Sequence, residues 1–357
     1  MGGRDLTRLA FGTIAVHAPM GAQRYQAQTI ARADEALAAV DPERAWLTRQ
    51  VIARSTRSPL PGNRRLPLAM TARGSIGFRR RVGQVLYPRS DAVHRMSLEL
   101  PPSPNADIVT LHDVVAWRFP DESAPVPAAT EELRRAAAVI CVSEFSAQEA
   151  VDLLGVRNPH VVHNGVDERF FSAAPLSSQE LSALGLGRPY VLHAGGAATR
   201  KNLTALAESW PTVRRERPDL DLVLAGPPHP RRTELFAGLE GTHLIGRVPD
   251  AMLPGLVAGA EAVVVPSLYE GFGLPVLEAM AAGVPVVAAD TSSLPEVAGG
   301  AAILTAPIPA AIAAGILDAT SGDSAVDALR VAGRARAAGF TWDRSAREHA
   351  RVWSSVV

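Results

Sequence analysis

Lysine is nearly absent from this chain. Of its 36 basic residues one, Lys201, is lysine and all the others are arginine. That bias, together with abundant alanine, reads as base-composition drift, so the informative position is the exception. Cysteine is equally scarce. The single Cys141 excludes an internal disulfide, and its apolar surroundings "AAAVICVS" predict a buried core residue. No run of 18 apolar residues exists, which argues against a spanning helix. The opening "MGGRDLTRLAFG" carries charges and lacks the apolar segment of a signal peptide, so a cytosolic protein is expected. Formal net charge is zero, so no global field draws the chain to nucleic acid. No repeat of 20–50 residues is evident, and no His, Cys or carboxylate cluster has metal-ligand spacing.

What is present is a rhythm of short apolar runs and longer helix-period segments. A length of 357 residues suits two domains, each with its own core. Strands are predicted at 11–16, 44–52, 106–113, 137–143 and 160–165. A second series follows at 189–196, 221–227, 242–246, 260–267, 284–290 and 301–306. Helical stretches at 21–39, 144–155, 202–217 and 275–282 lie among them. Val, Ile and Leu runs without alternation suit strands buried on both faces, and strand–helix alternation gives parallel sheets. The expected fold class is α/β, with two doubly wound, Rossmann-like domains facing across a cleft. The expected domains are 1–170 and 171–341, with a seam in the Ser-, Ala- and Pro-rich stretch 168–188. In such sheets ligands bind beyond the carboxyl ends of the strands.

Two strand ends carry most of the chemistry. In "SLYEGFGLPVLEAMAAGVPVVAAD" (267–290) a loop precedes a helix that Pro275 opens and Gly283 closes. Gly273 and Leu274 then offer free backbone N–H groups at a helix N-terminus, which favours a phosphate. Glu270 ahead of the helix and Glu278, expected in its first turn, flank that cradle and fit sugar hydroxyls on either side. The bland alternative for Glu278 is a first-turn acid that complements the helix dipole. In "HAGGAATRKNL" (193–203) a strand end and a Gly-rich turn lead to another helix, which Asn202 or Thr199 would cap. Arg200 and Lys201 place two cations at the unfavourable end of its dipole, where an anion has to compensate them. A compact ammonium fits a crowded site that a planar guanidinium does not.

These stretches resemble family 4 of the retaining, GT-B-fold glycosyltransferases, with "YEGFGLPVLEAMAAGVPVV" similar to its E-x7-E signature and "TRKN" to its phosphate-binding segment. "TLHDVVAWRFP" (110–120), "AAVICVSEFS" (137–146), "VVHNGVD" (161–167), "DTSSLPEVAG" (290–299) and "FTWDRSA" (340–346) are similar to further parts of it. The likeness covers roughly 94–350 and leans toward a mannosyltransferase-like branch. It implies that Glu270 contacts hydroxyls of the donor hexose and that Phe272, Gly273 and Leu274 present backbone to sugar and diphosphate. Glu278 would hold the ribose, Arg200 and Lys201 would neutralise the diphosphate, and Gly246 to Val248 would lie near the base. His112 would sit beside the reacting sugar. Gly21, in "PMGAQRY" (19–25), would lend a backbone N–H. One departure is that some members carry an Arg where this chain has Gly195. The last helix, 342–357, would cross back to the first domain.

The reaction implied is hexose transfer from a nucleoside-diphosphate sugar, GDP-mannose before a UDP-sugar, to a glycan, lipid-linked or small-molecule acceptor. A nucleotide-sugar epimerase, or a binding protein without activity, would use the same fold. The "DLD" at 219–221 has the form of a metal clamp, but it lies at the wrong edge of its strand, so no metal and no cofactor are expected. His112–Asp113 also reads as a general base held by a carboxylate. His17, His94, His163 and His193 are read as structural. Between Arg54 and Arg95 ten arginines face one acid, Asp91, a local charge of +9. Either that segment, through Arg79, Arg80 and Arg81, meets an anionic membrane surface or acceptor, or it is a solvated loop.

Overall fold

In this computed structural model residues 6–17, 21–119 and 121–357 are described; Pro19 and Met20 of the "PMGAQRY" stretch lie outside them. The chain forms two compact units, Met1–Gly165 with Trp342–Val357, and Val166–Thr341. The first holds a seven-stranded sheet: β1 (Leu6–Ile14), β2 (Ala45–Ser55), β3 (Arg64–Leu66), β4 (Ala92–Arg95), β5 (Ala106–Leu111), β6 (Ala138–Cys141) and β7 (His160–Val161). Its order is β3-β2-β1-β4-β5-β6-β7, and every pairing is parallel.

The second unit holds β8 (Tyr190–Ala194), β9 (Asp221–Ala225), β10 (Thr242–Gly246), β11 (Ala262–Val265), β12 (Val286–Ala289) and β13 (Ile303–Thr305). Its order is β10-β9-β8-β11-β12-β13, again all parallel. The chain is therefore α/β and doubly wound in each half. Strand order reverses between β1 and β4 in one unit and between β8 and β11 in the other. Doubly wound sheets take ligands in the crevice at such a reversal.

The central strands are buried on both faces because helices cover both. β9 reads Asp-Leu-Val-Leu-Ala with all five residues buried. Leu206, Trp210, Val264, Ile312 and Ile316 form the core on one side of the second sheet. In the first unit the final helix, Trp342–Ser355, inserts Trp342, Ala346, Ala350 and Trp353 into a core with Leu9, Phe11, Tyr25 and Leu37.

That helix is also fastened by a chain of hydrogen bonds whose direction its ends dictate. Trp353 Nε1, which can only donate, gives to His94 Nδ1 (3.2 Å). His94 Nε2 then donates to Thr110 Oγ1 (2.7 Å), Thr110 to Tyr25 Oη (2.7 Å), and Tyr25 to His349 Nε2 (2.6 Å). His349 Nδ1 donates to the Ser345 carbonyl (2.7 Å), which can only accept. His94, which accepts at Nδ1, is thereby neutral, and the direction from Tyr25 to His349 is the one a neutral His349 takes. Burial depresses the pKa of each, that of His349 to about 4.

Several elements differ from the sequence reading. The stretch 21–39 is two helices, Gly21–Ala31 and Ala33–Val40, joined at Arg32. Strands β3 and β4 carry no apolar signature. β4 reads Ala-Val-His-Arg, yet all four residues are buried, because His94 and Arg95 find polar partners inside.

The arginine-rich segment needs a firmer correction. Arg79 is fully buried, and its guanidinium donates to both oxygens of Glu132 (2.6 and 3.0 Å) and to the carbonyls of Thr71, Leu98, Glu99 and Leu100. Arg95, also buried, forks onto Asp107 and reaches Glu132. Both charges are spent inside the fold, so Arg79 offers nothing to a membrane or an acceptor. Arg80 and Arg81 are exposed.

Candidate active site

In the second unit the two chemical stretches leave neighbouring strands on either side of the reversal. After β8 the chain forms a 3-10 turn, Thr199–Lys201, and then the helix Leu203–Glu216. After β11 the loop 266–273 leads to the helix Leu274–Ala281. The two are tied backbone to backbone, since Leu268 N donates to the Arg200 carbonyl (2.7 Å). Asn202, at φ +55°, occupies the cap position of its helix, but its side chain makes no cap. Its amide instead donates to the carbonyls of Pro266 (3.0 Å) and Pro307 (2.9 Å), which pins the turn onto the opposing loop. Thr199 opens the turn.

The result is a compact cluster. Lys201 Nζ lies 2.5 Å from Glu270 Oε1, and Arg200 Nη1 lies 3.4 Å from Oε2 and 3.2 Å from the Tyr269 carbonyl. Ser267 Oγ donates to Oε1 as well (2.8 Å). Glu270 is 7% exposed. Burial by itself would raise its pKa. The charges of Lys201 and Arg200, with hydrogen bonds from Lys201 and Ser267, outweigh it and hold the carboxyl below its ordinary value.

The backbone of Glu270 is held too. Its N–H donates to Ser292 Oγ (3.0 Å), while Ser293 Oγ bridges the carbonyls of Glu270 (2.9 Å) and Phe272 (2.8 Å). Ser292 and Ser293 carry no chemical signal of their own in sequence beyond the likeness of "DTSSLPEVAG", and Ser267 is marked only as a polar strand end.

Gly273 sits at φ +109°, and a Cβ there would meet Leu294 Cδ2 at 2.8 Å, so only glycine makes this corner. No side chain caps the helix that follows, which leaves its first N–H groups available to an anion. Glu278 requires a correction: it lies in the second turn, and the first turn holds no acid. A dipole-complementing role is thereby removed. Glu278 is buried, and its charge is felt by Arg169, which forks onto Asp167. Gly246 ends β10 at φ +72°, and Val248 lies in the loop after it.

His193, read as structural in the sequence, is held in that way at one nitrogen and left without a partner at the other. It is 2% exposed at the end of β8, and its Nδ1 donates across the strand reversal to the Val264 carbonyl of β11 (3.1 Å). Nε2 is buried without a partner. Burial pushes its pKa down to about 4, with the Lys201 and Arg232 cations acting the same way and the Val264 bond and Glu270 opposing. The ring is neutral, and Nε2 presents a lone pair.

The "DLD" carboxylates are occupied. Asp219 takes Arg217 in a fork, while Asp221 opens β9 and meets His243 (2.8 Å) and Arg214 (3.6 Å). Among the described residues no group of three or more His, Cys, Asp or Glu side chains is arranged to hold a metal ion.

In the first unit His112 follows β5 and packs edge-on against Tyr25, with centroids 4.7 Å apart. Its Nε2 is buried and unpartnered, and loss of water around the ring lowers its pKa while Asp113 opposes. The Asp113 carboxylate accepts from Val115 N (3.0 Å), so it shapes the turn and does not orient the imidazole. The base-and-orienter pair suggested by adjacency is therefore absent. Gly21 begins the helix Gly21–Ala31 that carries Tyr25. Among the described residues no helix is long and apolar enough to cross a membrane.

Comparison with known proteins agrees with this geometry. Residues 188–321 match the family described as glycosyl transferases group 1, and residues 22–170 match glycosyltransferase family 4. The chain is 30% identical over 302 residues to O-antigen chain mannosyltransferase B of Escherichia coli, covering 78% of each. Over 167 residues it is 33% identical to the MMP alpha-(1->4)-mannosyltransferase of Mycolicibacterium hassiacum, covering 45% of this chain and 39% of that one. Among solved structures, Anabaena Alr3699/HepE in complex with UDP and glucose superposes with a TM-score of 0.71 at 20% identity, over 98% of this chain and 100% of that one. The chain belongs to the family 4 glycosyltransferases, with the GT-B fold and mannosyltransferase relatives.

Proposed function

We propose that this chain is a retaining hexosyltransferase that moves mannose from GDP-mannose, or a hexose from a UDP-sugar, to a glycan, lipid-linked or small-molecule acceptor. The observation that carries it is the Arg200–Lys201–Glu270 cluster beside an uncapped helix N-terminus at the reversal of the second sheet. Leaving-group departure from a nucleotide sugar builds negative charge on a diphosphate. Preorganised cations and backbone N–H groups stabilise that charge without moving. An ammonium has three donors, so Lys201 keeps Glu270 with one and offers another to a phosphate oxygen. Glu270 and backbone of Phe272, Gly273 and Leu274 meet the hexose and diphosphate, and Glu278 holds the ribose. The segment from Gly246 to Val248 lies by the base. His112 touches the reacting sugar, and Gly21 lends an N–H.

Mannose is favoured because both sequence relatives above are mannosyltransferases by name. The UDP in the Anabaena structure keeps the other base in play. The presence of Glu270 and Lys201 in the second unit, and of His112 in the first, argues against a chain that merely binds nucleotide sugars, and no observation favours an epimerase. Diphosphate neutralisation by side chains supports a reaction without metal. Peripheral contact with an anionic membrane rests on exposed Arg73, Arg80 and Arg81 with Phe78 and Val85 beside them. Binding to anionic liposomes at low and high salt tests that part.

The main test is a thermal-shift panel of nucleoside diphosphates and their sugars, followed by turnover with the donor that stabilises most. A GDP or GDP-mannose shift that exceeds the UDP series supports the mannosyl reading. Stabilisation by neither series would sink it.

A further inference from the structure

Arg232 is buried without a counter-charge. It is 2% exposed, in the helix Pro230–Phe236, and no carboxylate lies within ion-pair distance of it among the described residues. Its guanidinium donates to the carbonyls of Gly195 (2.5 Å) and Pro227 (3.2 Å), and its Nε–H is buried with no partner. The contrast within the molecule is sharp, because the two fully buried arginines, Arg79 and Arg95, are satisfied by Glu132 and Asp107. An unpaired interior charge is strongly unfavourable unless something pairs with it part of the time.

Its location suggests what that is. Arg232 lies under the turn that follows β8, with β9 on the other side. Gly226, at φ +145°, has no room for a Cβ, which would meet the Gly195 carbonyl at 1.9 Å and Arg232 Nη1 at 3.0 Å. The same Gly195 faces His193 Nε2, which a Cβ would approach to 3.3 Å. Two orphaned buried polar atoms, an N–H donor on Arg232 and a lone pair on His193, therefore flank one glycine. The His193 ring also feels the charges of Lys201, Arg232 and Glu270.

Charge balance points the same way. Arg200 and Lys201 bring two cations, and the ionised Glu270 returns one negative charge, so the cluster holds a single net positive charge. A bound nucleoside-diphosphate sugar carries about two negative charges on its diphosphate. We propose that Arg232 is a further cation of the donor site, positioned beneath the Gly195–Gly196 turn to neutralise the diphosphate that the Arg200–Lys201–Glu270 cluster leaves half compensated. The inference rests on the nucleotide-sugar reading above. Arg232 acts as a positioning residue, through its field and through the Gly195 carbonyl it holds.

The test is calorimetric titration of full-length wild type, Arg232→Met and Arg232→Lys with GDP and UDP, and with the uncharged guanosine and uridine. For Arg232→Met the diphosphate that binds wild type should weaken on the order of tenfold, as loss of one partly screened charge a few ångströms away predicts. Its parent nucleoside should bind within about twofold of wild type, and Arg232→Lys should recover most of the diphosphate affinity. Equal weakening of nucleoside and diphosphate would overturn the proposal, since Arg232 would then merely hold the turn. Unchanged diphosphate affinity would overturn it as well. If Arg232→Met does not fold, Arg232→Gln takes its place as the uncharged variant: selective loss of diphosphate affinity that Arg232→Lys restores supports the charge role, and equal weakening of nucleoside and diphosphate, or no weakening, refutes it. Failure of wild type to bind either diphosphate would bring down the donor-site reading itself, which is a different result from a wild type that binds and a variant that binds equally well.

Discussion

The ammonium of Lys201 and the carboxylate of Glu270, 69 residues apart in sequence, meet at 2.5 Å. Each leaves a strand on one side of the same reversal, β8 or β11, and the contact is enclosed, with Lys201 and Glu270 side chains 16% and 10% exposed. Ser267 shares the same carboxylate oxygen, and Arg200 already occupies the other. The Glu270 carboxylate is thus already shared among Lys201, Arg200 and Ser267. We take this crowding as the reason a compact ammonium, not a planar guanidinium, stands at the one position where arginine was not used.

The sharpest test is therefore Lys201→Arg, which keeps the charge. A guanidinium has to displace Arg200 or Ser267, and a bound phosphate with them. Misplacement on the order of 1 Å can cost about a hundredfold in rate, so kcat/KM should fall by that order. Lys201→Ala should lose more, because the leaving diphosphate goes uncompensated. Wild-type turnover by Lys201→Arg would show that the lone lysine is an accident of composition.

Glu270 and Glu278 should separate in their effects. Glu270→Gln is expected to lower kcat strongly while the nucleoside diphosphate still binds, since its proposed place is beside the sugar. Glu278→Ala is expected to weaken the nucleoside itself by ~1–3 kcal/mol, the loss of a buried hydrogen-bonding partner. Titration with nucleoside and diphosphate, alongside turnover, reads both, and identical profiles for the two variants would contradict the assignment.

Turnover should survive excess EDTA. Asp219 is occupied by Arg217, and Asp221 by His243 and Arg214, so no clamp is left for a divalent ion in that stretch. Loss of activity on chelation, restored by added magnesium or manganese, would reverse this expectation.

Stability should fall as pH drops below neutrality. His193 and His349 are held neutral with pKa values near 4, below the ordinary histidine value of 6.5. Between those limits the unfolded chain binds more protons, so stability is fully present above about pH 6.5 and drains away toward pH 4. Each histidine contributes at most about 3 kcal/mol across that window. Glu270, whose folded pKa is depressed, adds stability that is lost only at still lower pH, as its carboxylate protonates. Denaturant midpoints at pH 7.5 and pH 5 check the histidine part, and equal midpoints would exclude it. Protonation of His349 also breaks the relay from Trp353 to Ser345, so the final helix should loosen first by hydrogen exchange.

The sequence by itself determined the fold class and marked the two strand-end stretches that meet in the second unit. Apolar runs of Val, Ile and Leu mark strands buried on both faces, and the corner at Gly273 with Pro275 behind it marks a helix start, because both signals are local. Lys201, Arg200 and Glu270 were legible for the same reason, each lying next to a turn signal at a strand end. Tertiary structure alone decided which charges face a ligand. Arg79 and Arg80 are neighbours of one type, yet one is locked onto Glu132 and the other is exposed. The orphaned atoms of His193 and Arg232 are not legible in sequence, since a buried atom is orphaned only once other groups have been paired. Glu132 reaches Arg79 and Arg95 across 53 and 37 residues. Pairing at that separation depends on strand order and helix placement, which the periodicity of a chain does not encode.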